Sequence, residues 1–159
     1  PIRSDNTCVW GCIDIDQYPL DLEALVVKIK KLKLPLVSCR SKSGGAHCFA
    51  FTKDPVPAGE MQDYLTGCAA LLGESGREIF PKQREILVSR GDTGNFLNLP
   101  YHHVDRTLRY AIKEDGSAAS IEEFFEIYEA NVQEKLTHFA RRDFLKVGAI
   151  TECLVWDCI

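Results

Sequence analysis

Residues 10–16, Trp-Gly-Cys-Ile-Asp-Ile-Asp, predict the end of a buried strand that carries two acidic residues one position apart. Successive side chains of a strand point to opposite faces, so we expect Asp14 and Asp16 on one face and Ile15 in the core. Two carboxylates this close repel each other unless a proton or a cation lies between them. A hard divalent ion such as Mg²⁺ or Mn²⁺ prefers oxygen ligands of this kind. The alternative is an edge strand with two solvated aspartates.

The composition is that of an ordinary globular protein. The chain has 159 residues, enough for one compact domain with a substantial core, and begins at Pro1, which suggests a processed or excised piece. Its hydrophobic share of 45% includes no apolar run near the roughly 20 residues needed to span a bilayer, so we expect no membrane segment. The net charge of −4 gives no global attraction to nucleic acid, and such binding would need local patches.

The cysteines do not form a recognisable disulfide or zinc pattern. Their number is odd, and they lack the closely spaced pairs of a structural zinc site. Several stand among apolar residues, where a free cysteine is usually a small core residue. We therefore expect a reduced, intracellular protein. The seven positions are Cys8, Cys12, Cys39, Cys48, Cys68, Cys153 and Cys158.

The first half of the chain predicts the element order β-α-β-β-α-β. This order is typical of the split βαβ, or ferredoxin-like, unit. Asp21 is the expected N-cap of the first helix, and Gly73 is the expected end of the second. The expected strands cover residues 8–15, 36–40, 47–51 and 78–80, the expected helices 22–33 and 58–72, and Pro55 to Pro57 are expected to end the third strand.

In this fold the first strand is central and antiparallel to the third and fourth. Its C-terminal end therefore lies beside the N-terminal ends of those two strands. The fold is thus expected to gather the acid pair, His47 and Glu78 at one edge of the sheet.

The second half of the chain is expected to extend this core. The glycines of residues 91–101 predict a turn that leads to another short strand. Ser120 and Glu123 form a capping-box pattern, which predicts a helix to about residue 136 with Phe124, Phe125 and Tyr128 facing inward. The expected fold class is α+β: an RRM-like or ferredoxin-like core with additional short strands and a C-terminal helix.

We expect two parts in the chain. Residues 1–136 would form the catalytic core. Residues 137–159 would form a C-terminal tail that could link the core to a missing domain.

The turn between the second and third strands carries many potential phosphate donors. Glycines let backbone N–H groups approach an anion closely, and the polar side chains around them add further donors. The alternative is an ordinary hairpin turn, because serine and glycine are also favoured there for backbone reasons. Since the turn faces the acid pair, we favour a phosphate site. The residues are Arg40, Ser41, Lys42, Ser43, Gly44, Gly45 and His47.

Four motifs in order give the chain a resemblance to a known family. They are Ile13-Asp14-Ile15-Asp16, Ser43-Gly44-Gly45-Ala46-His47, Glu78-Ile79-Phe80-Pro81-Lys82-Gln83 and Gly94-Asn95-Phe96-Leu97-Asn98-Leu99-Pro100-Tyr101. Over about residues 8–105 the chain resembles the catalytic core of the archaeo-eukaryotic primase superfamily, particularly the primase-polymerases of phages and mobile elements.

The resemblance implies a template-directed nucleotidyltransferase, a DNA primase or polymerase. It implies that Asp14, Asp16 and Glu78 bind Mg²⁺ or Mn²⁺, although the third acid is commonly Asp in the family. It implies that His47 contacts the phosphates of the incoming nucleotide, and that two metal ions support in-line attack of a 3′-hydroxyl on the α-phosphate. The other implied nucleotide-binding residues are Arg40, Ser41, Lys42, Ser43, Gly45, Lys82, Gln83, Asn95 and Asn98.

The implied partners are nucleoside triphosphates, a single-stranded DNA template with its primer, and a replicative helicase domain outside this sequence. The implied location is the cytoplasm, that of the host if a phage encodes the protein.

Two other functions remain open from the sequence. One is a non-catalytic module that binds nucleotides or single strands, since Phe49 and Phe51 share a predicted sheet face with His47. The other is a metal-dependent nuclease that uses the same ions.

Overall fold

The computed structural model describes residues 2–103, 106–140 and 143–144. The four strands are β1 (Thr7–Ile15), β2 (Val37–Arg40), β3 (Ala46–Pro57) and β4 (Glu78–Phe80). The three α-helices are α1 (Leu22–Lys31), α2 (Ala58–Leu72) and α3 (Ile121–Asn131). The predicted β-α-β-β-α-β order and the α+β class are therefore confirmed. None of the helices described is long and apolar enough to cross a bilayer.

The four strands form one antiparallel sheet in the order β2-β3-β1-β4. This is the predicted arrangement, with β1 between β3 and β4. Local signals in the sequence set the ends of the first two helices. The Asp21 side chain caps α1 by accepting a hydrogen bond from the Ala24 amide at 2.9 Å, and Gly73 ends α2 in the left-handed region with φ 75°.

One face of the sheet packs on α1 and α2. Gly11 allows this close packing, because a Cβ there would lie 2.6 Å from side-chain atoms of both Leu65 and Met61 on α2. The face buries alternate residues of the central strands against apolar helix residues, as the strand period requires. The main contributors are Ile13, Ile15, Cys48 and Ala50 from the sheet, and Leu25, Ile29, Met61, Leu65 and Cys68 from the helices.

The opposite face is covered by the chain after β4 and by α3. Tyr101 ties this cover together: its hydroxyl donates to the Ala119 carbonyl and accepts from the Ala111 amide, both at 2.9 Å. We call this layer the apolar cover. Its sheet residues are Cys12, Val37, Cys39, Phe49 and Phe80, and its covering residues include Leu97, Tyr101, Ala111, Ala119, Phe124 and Ile127.

The outer edge of β2 is also paired. Cys39 lies opposite Ala111 in an antiparallel bridge. The Arg40 amide donates to the Tyr110 carbonyl at 2.8 Å, and the Ile112 amide donates to the Ser38 carbonyl at 2.9 Å. Residues 110–112 therefore lie along β2 as a short extended neighbour.

The prediction that Pro55 to Pro57 end the third strand is wrong, because β3 continues to Pro57 opposite Thr7. β2 pairs only with the first part of β3, up to Phe49. Beyond that point β3 does not pair with β2. A proline there therefore does not remove a hydrogen bond between the two strands.

The glycines of residues 91–101 were expected to form a turn that leads to another short strand, but no strand forms within residues 91–101, and the residues before them form a 3-10 turn at Val88–Arg90. Instead of strand pairing, hydrogen bonds to side chains fix this segment. The Asn6 side chain accepts from the Ile86 amide at 2.7 Å, and Asp92 accepts from the Leu87 amide at 2.9 Å.

The capping box at the start of α3 is confirmed, but the helix ends at Asn131 instead of 136. Beyond it the chain pairs with β3: the Gln133 amide donates to Phe51 at 3.0 Å, and the Lys53 amide donates to Gln133 at 2.9 Å. Tertiary pairing therefore replaces the last helical turn.

One of the three aromatic residues expected to face inward on α3 does not. Phe125 is 57% exposed. Phe124 and Tyr128 do pack inward, against the apolar cover and against Phe51 at 5.0 Å between ring centroids.

The predicted boundary between the core and a tail at residues 137–159 stays a prediction. Leu136 is buried in the core, and Phe139 beyond it stacks on Tyr64 with ring centroids 5.5 Å apart. Residues 145–159 lie outside the described part of the chain.

The five described cysteines are free and buried, as the composition predicted; Cys153 and Cys158 lie outside the described residues. Loss of water around the sulfur raises the pKa of Cys8 to about 11 and that of Cys48 to about 12. Because the thiolate is the reactive form, these cysteines are expected to be inert.

We predict that the native protein with Cys153→Ser and Cys158→Ser consumes no thiol reagent at pH 8. Burial and raised pKa values together suppress the thiolates of the five remaining cysteines. Absorbance titration with an aromatic disulfide reagent measures this, and denaturation in guanidinium should release five equivalents. Rapid labelling of even one thiol in the native state would contradict the burial described.

Candidate active site

Three polar residues form a row across the sheet. Asp14 of β1 pairs directly with His47 of β3 on one side and with Glu78 of β4 on the other. Residues directly opposite each other in a sheet share a face. We call Asp14, His47 and Glu78 the acid row; it lies at the end of the face that carries the apolar cover, as the sequence predicted.

The centre of the acid row contains an unpaired buried oxygen. Asp14 Oδ1 and His47 Nε2 are 3.4 Å apart, and their side chains are only 14% and 10% exposed. That separation is long for a hydrogen bond, and Asp14 Oδ1 has no hydrogen-bond partner in the described part of the chain. Leaving a carboxylate oxygen buried and unpaired is costly. The position therefore favours an additional cation or donor.

Asp16 lies at the same edge but one residue beyond the end of β1. Its side chain is exposed, and Oδ1 accepts a hydrogen bond from the Tyr18 hydroxyl at 2.8 Å. Tyr18 belongs to none of the four sequence motifs. Its only signal is its position two residues after the acid pair, next to Pro19.

Glu78 already contacts a cation. Lys82 Nζ lies 2.5 Å from Glu78 Oε1 and 5.1 Å from the centre of the Phe80 ring. The ammonium group thus lies beside the third carboxylate of the site. Glu78 is thus already paired with a cation at the β4 end of the acid row.

The carboxylates are not gathered around one point. Within the described residues, no group of three or more His, Cys, Asp or Glu side chains is arranged so that it could hold a metal ion. The donor set nevertheless fits a hard divalent ion in kind, because Asp14 offers an unpaired oxygen and both other acids are carboxylates. Asp16 and Glu78 would have to leave Tyr18 and Lys82 to join it.

The turn between β2 and β3 is closed by its own backbone. The Ser41 amide donates to Gly45 at 2.9 Å, and the Gly44 amide donates to Ser41 at 3.1 Å. Gly44 has φ 100°, a conformation that favours glycine. Lys42 and Ser43 are exposed at the tip.

Arg40 fixes this turn in place. Its Nη1 donates to the carbonyls of Ser41 at 3.0 Å, Lys42 at 3.3 Å and Leu108 at 3.2 Å. The guanidinium therefore links the turn to the segment before residue 110. Its expected contact with phosphate stays a prediction.

The base of the turn lies directly against the acid-bearing strand. A Cβ on Gly45 would lie 2.3 Å from the Ile15 carbonyl oxygen and 3.3 Å from Ser41 Oγ. Ser41 is only 5% exposed, and its Oγ has no hydrogen-bond partner among the described residues. A second orphaned oxygen thus lies two residue pairs beyond the acid row, on the same face.

The remaining predicted nucleotide-binding residues follow β4. Gln83 donates through Nε2 to Asn95 Oδ1, while its own Oε1 is buried without a partner in the described structure. Asn98 is exposed. The structure therefore joins Gln83 to Asn95 and Lys82 to Glu78, but shows no such contact for Asn98.

The aromatic residues of the sheet are covered. Phe49 is 1% exposed and stacks on Phe51 with ring centroids 5.9 Å apart. Tyr128 of α3 packs on Phe51 from above. An RNA strand cannot stack on these rings in the way that it does on an open RRM sheet.

We predict that Gly45→Ala destabilises the protein by about 1–3 kcal/mol, because the added methyl group would collide with the backbone of Ile15. The urea midpoint of unfolding measures this effect. Ser43→Ala, at the exposed tip of the same turn, is the matched control and should leave the midpoint unchanged. Equal midpoints for Gly45→Ala and the wild type would contradict the close approach of the turn to β1.

Comparison with known proteins identifies the family. No curated protein matches the chain significantly. Residues 1–138 match the family described as "TOTE conflict system, Archaeo-Eukaryotic Primase domain" (AEP-TOTE), and this stretch includes the acid row, the turn and the segment after β4. The resemblance inferred from the four motifs is thereby confirmed. The chain belongs to the AEP-TOTE family, and with it to the archaeo-eukaryotic primase superfamily.

Proposed function

We propose that this domain is a template-directed nucleotidyltransferase, a DNA primase or DNA-directed polymerase. Its substrates would be nucleoside triphosphates and a primer on a single-stranded DNA template. Membership of the primase superfamily supports the reaction class. The site that supports it in the structure is the acid row with the turn beside it.

The observation that carries the proposal is the unpaired Asp14 Oδ1, buried beside His47 on the central strand. A carboxylate oxygen held rigidly in a sheet without a hydrogen bond is poorly explained by stability, since the 3.4 Å contact with His47 compensates its desolvation only in part. It is well explained as one ligand of a cation that arrives with the substrate. Rigid strands also hold such a ligand more precisely than a loop would.

Mg²⁺ or Mn²⁺ would be held by Asp14, Asp16 and Glu78. When bound, such an ion supplies Lewis-acid polarisation of the phosphoryl group and makes the 3′-hydroxyl easier to deprotonate. The chain itself contributes position and charge. Asp14 is fixed between its two neighbouring strands. If Glu78 binds the metal ion instead of Lys82, the Lys82 ammonium group becomes available to bind phosphate.

His47 is placed to orient the phosphates. Its ring stands edge-on to Phe49 at 6.0 Å between centroids and interplanar angle 80°, so packing restricts the imidazole. The ring nitrogen nearest the acid row is Nε2. In the proposed complex this nitrogen donates to a phosphate oxygen. The Ser41–Gly45 turn would lie beside the same triphosphate.

Two other functions make different predictions about the same site. A nuclease would use the same carboxylates to shorten a strand. A non-catalytic binding module would bind nucleotide without needing metal, and the covered aromatic residues disfavour its RRM-like form. If the domain is a polymerase, a replicative helicase domain outside this sequence stays an expected partner.

We predict that Asp14→Asn and Asp16→Asn each lower Mn²⁺-dependent affinity for a nucleoside triphosphate by at least about tenfold, because each removes a charged ligand. Calorimetric titration with and without Mn²⁺ measures the effect. Asp54→Asn, an exposed aspartate near the far end of β3, is the matched control and should bind as the wild type does.

Incubation with an end-labelled primer on a template then separates the reactions. Extension that needs Mn²⁺ and Asp14 supports the proposal, while shortening of the strand would support a nuclease instead. Wild-type affinity in both site variants would rule out the carboxylate assignment.

A further inference from the structure

We propose that Arg109, together with Ser41, forms the end of the site that binds the terminal phosphate of the nucleoside triphosphate. Arg109 lies outside the four sequence motifs. This inference rests on the proposed function, because it assigns one further residue to the same substrate.

The position of Arg109 follows from the pairing at the β2 edge. Cys39 lies opposite Ala111, so the antiparallel register places Arg109 opposite Ser41. Ser41 in turn faces Gly45, whose neighbour Ala46 pairs with Ile15 of β1. Continued by one residue, the same register leads from Arg109 through Ser41 and Gly45 to Asp16.

This second row lies immediately beyond the acid row and on the same face. Ala111 and Cys39 are packed in one apolar cluster with Phe49, whose side chain shares its face with His47. Side chains two residues apart in an extended segment return to the same face, which assigns Arg109 to the face of Ala111. Strands are spaced by about 4.8 Å, so the Cα atoms of Arg109 and Asp16 lie roughly 14 Å apart.

Ser41 provides independent evidence for a ligand between them. The residue is 5% exposed, its Oγ has no hydrogen-bond partner among the described residues, and it lies 3.3 Å from the position that a Gly45 Cβ would occupy. The hydroxyl is therefore directed over Gly45, between the two ends of the row. A hydroxyl can donate to a phosphate oxygen there.

Charge also favours this assignment. The neighbouring Arg40 already donates through Nη1 to three carbonyl groups, which commits it to holding the turn. Arg109 is partly exposed, and it takes part in none of the ion pairs found among the described residues. A guanidinium recognises the paired oxygens of a phosphate better than an ammonium does. The arrangement places one cationic end opposite one anionic end, and we propose that the polyphosphate lies between them.

The test compares nucleoside mono-, di- and triphosphates of one base, each titrated calorimetrically with Mn²⁺ present. For the wild type we expect affinity to rise with the number of phosphates. For Arg109→Gln we expect about a tenfold loss for the triphosphate, typical of a charge-assisted hydrogen bond, and no loss for the monophosphate. Arg109→Lys should recover part of the triphosphate affinity, and Ser41→Ala should lose a smaller part.

Arg90→Gln, on the exposed 3-10 turn, is the matched charge control and should bind like the wild type. An unchanged urea midpoint shows that Arg109→Gln is folded. If the wild type prefers the triphosphate and Arg109→Gln retains that preference, this inference is overturned while the proposed function stands. If the wild type binds no nucleotide, with or without Mn²⁺, the proposed function fails and this inference fails with it.

Discussion

The whole site depends on the register in which β1 pairs with its two neighbours. Asp14 lies opposite His47 on one side and Glu78 on the other. A slip of one residue on either side would turn the partner to the opposite face of the sheet. That face is packed against two helices, so a slip would also bury a charge among apolar residues. The hydrophobic pattern of the strands and the chemistry of the site thus require the same register.

The two faces of the sheet serve different purposes. One is filled by α1 and α2 and supplies most of the core. The other is filled only in part, because the apolar cover extends over Phe49 and Phe80 and ends at the acid row. His47 lies at that boundary, with an aromatic ring on one side and a carboxylate on the other. The boundary leaves polar groups partly shielded from water, where electrostatic interactions are stronger than in bulk solvent.

Much of the fold could be predicted because its signals are local. Caps such as Asp21 and Gly73 marked helix ends, and alternating residues marked the strands. The errors occur where a distant segment decides the outcome: β3 continues to Pro57 because it pairs with Thr7 of β1, and α3 ends early because the chain pairs with β3 instead. The acid row was predictable once the order of strands was known. The position of Arg109 could not be predicted, because it depends on a pairing with β2 that no local sequence pattern indicates.

The acid row joins three strands whose contributing residues are more than thirty positions apart in the sequence. β4 has only three residues, all paired to β1, so it contributes little stability of its own. A ligand that contacts the row therefore links the least secure strand to the centre of the sheet. By mass action, any such ligand also stabilises the folded state. Binding of a ligand to the acid row therefore also stabilises the sheet. Local separation of β4 from β1 would be the first opening that a bound ligand suppresses.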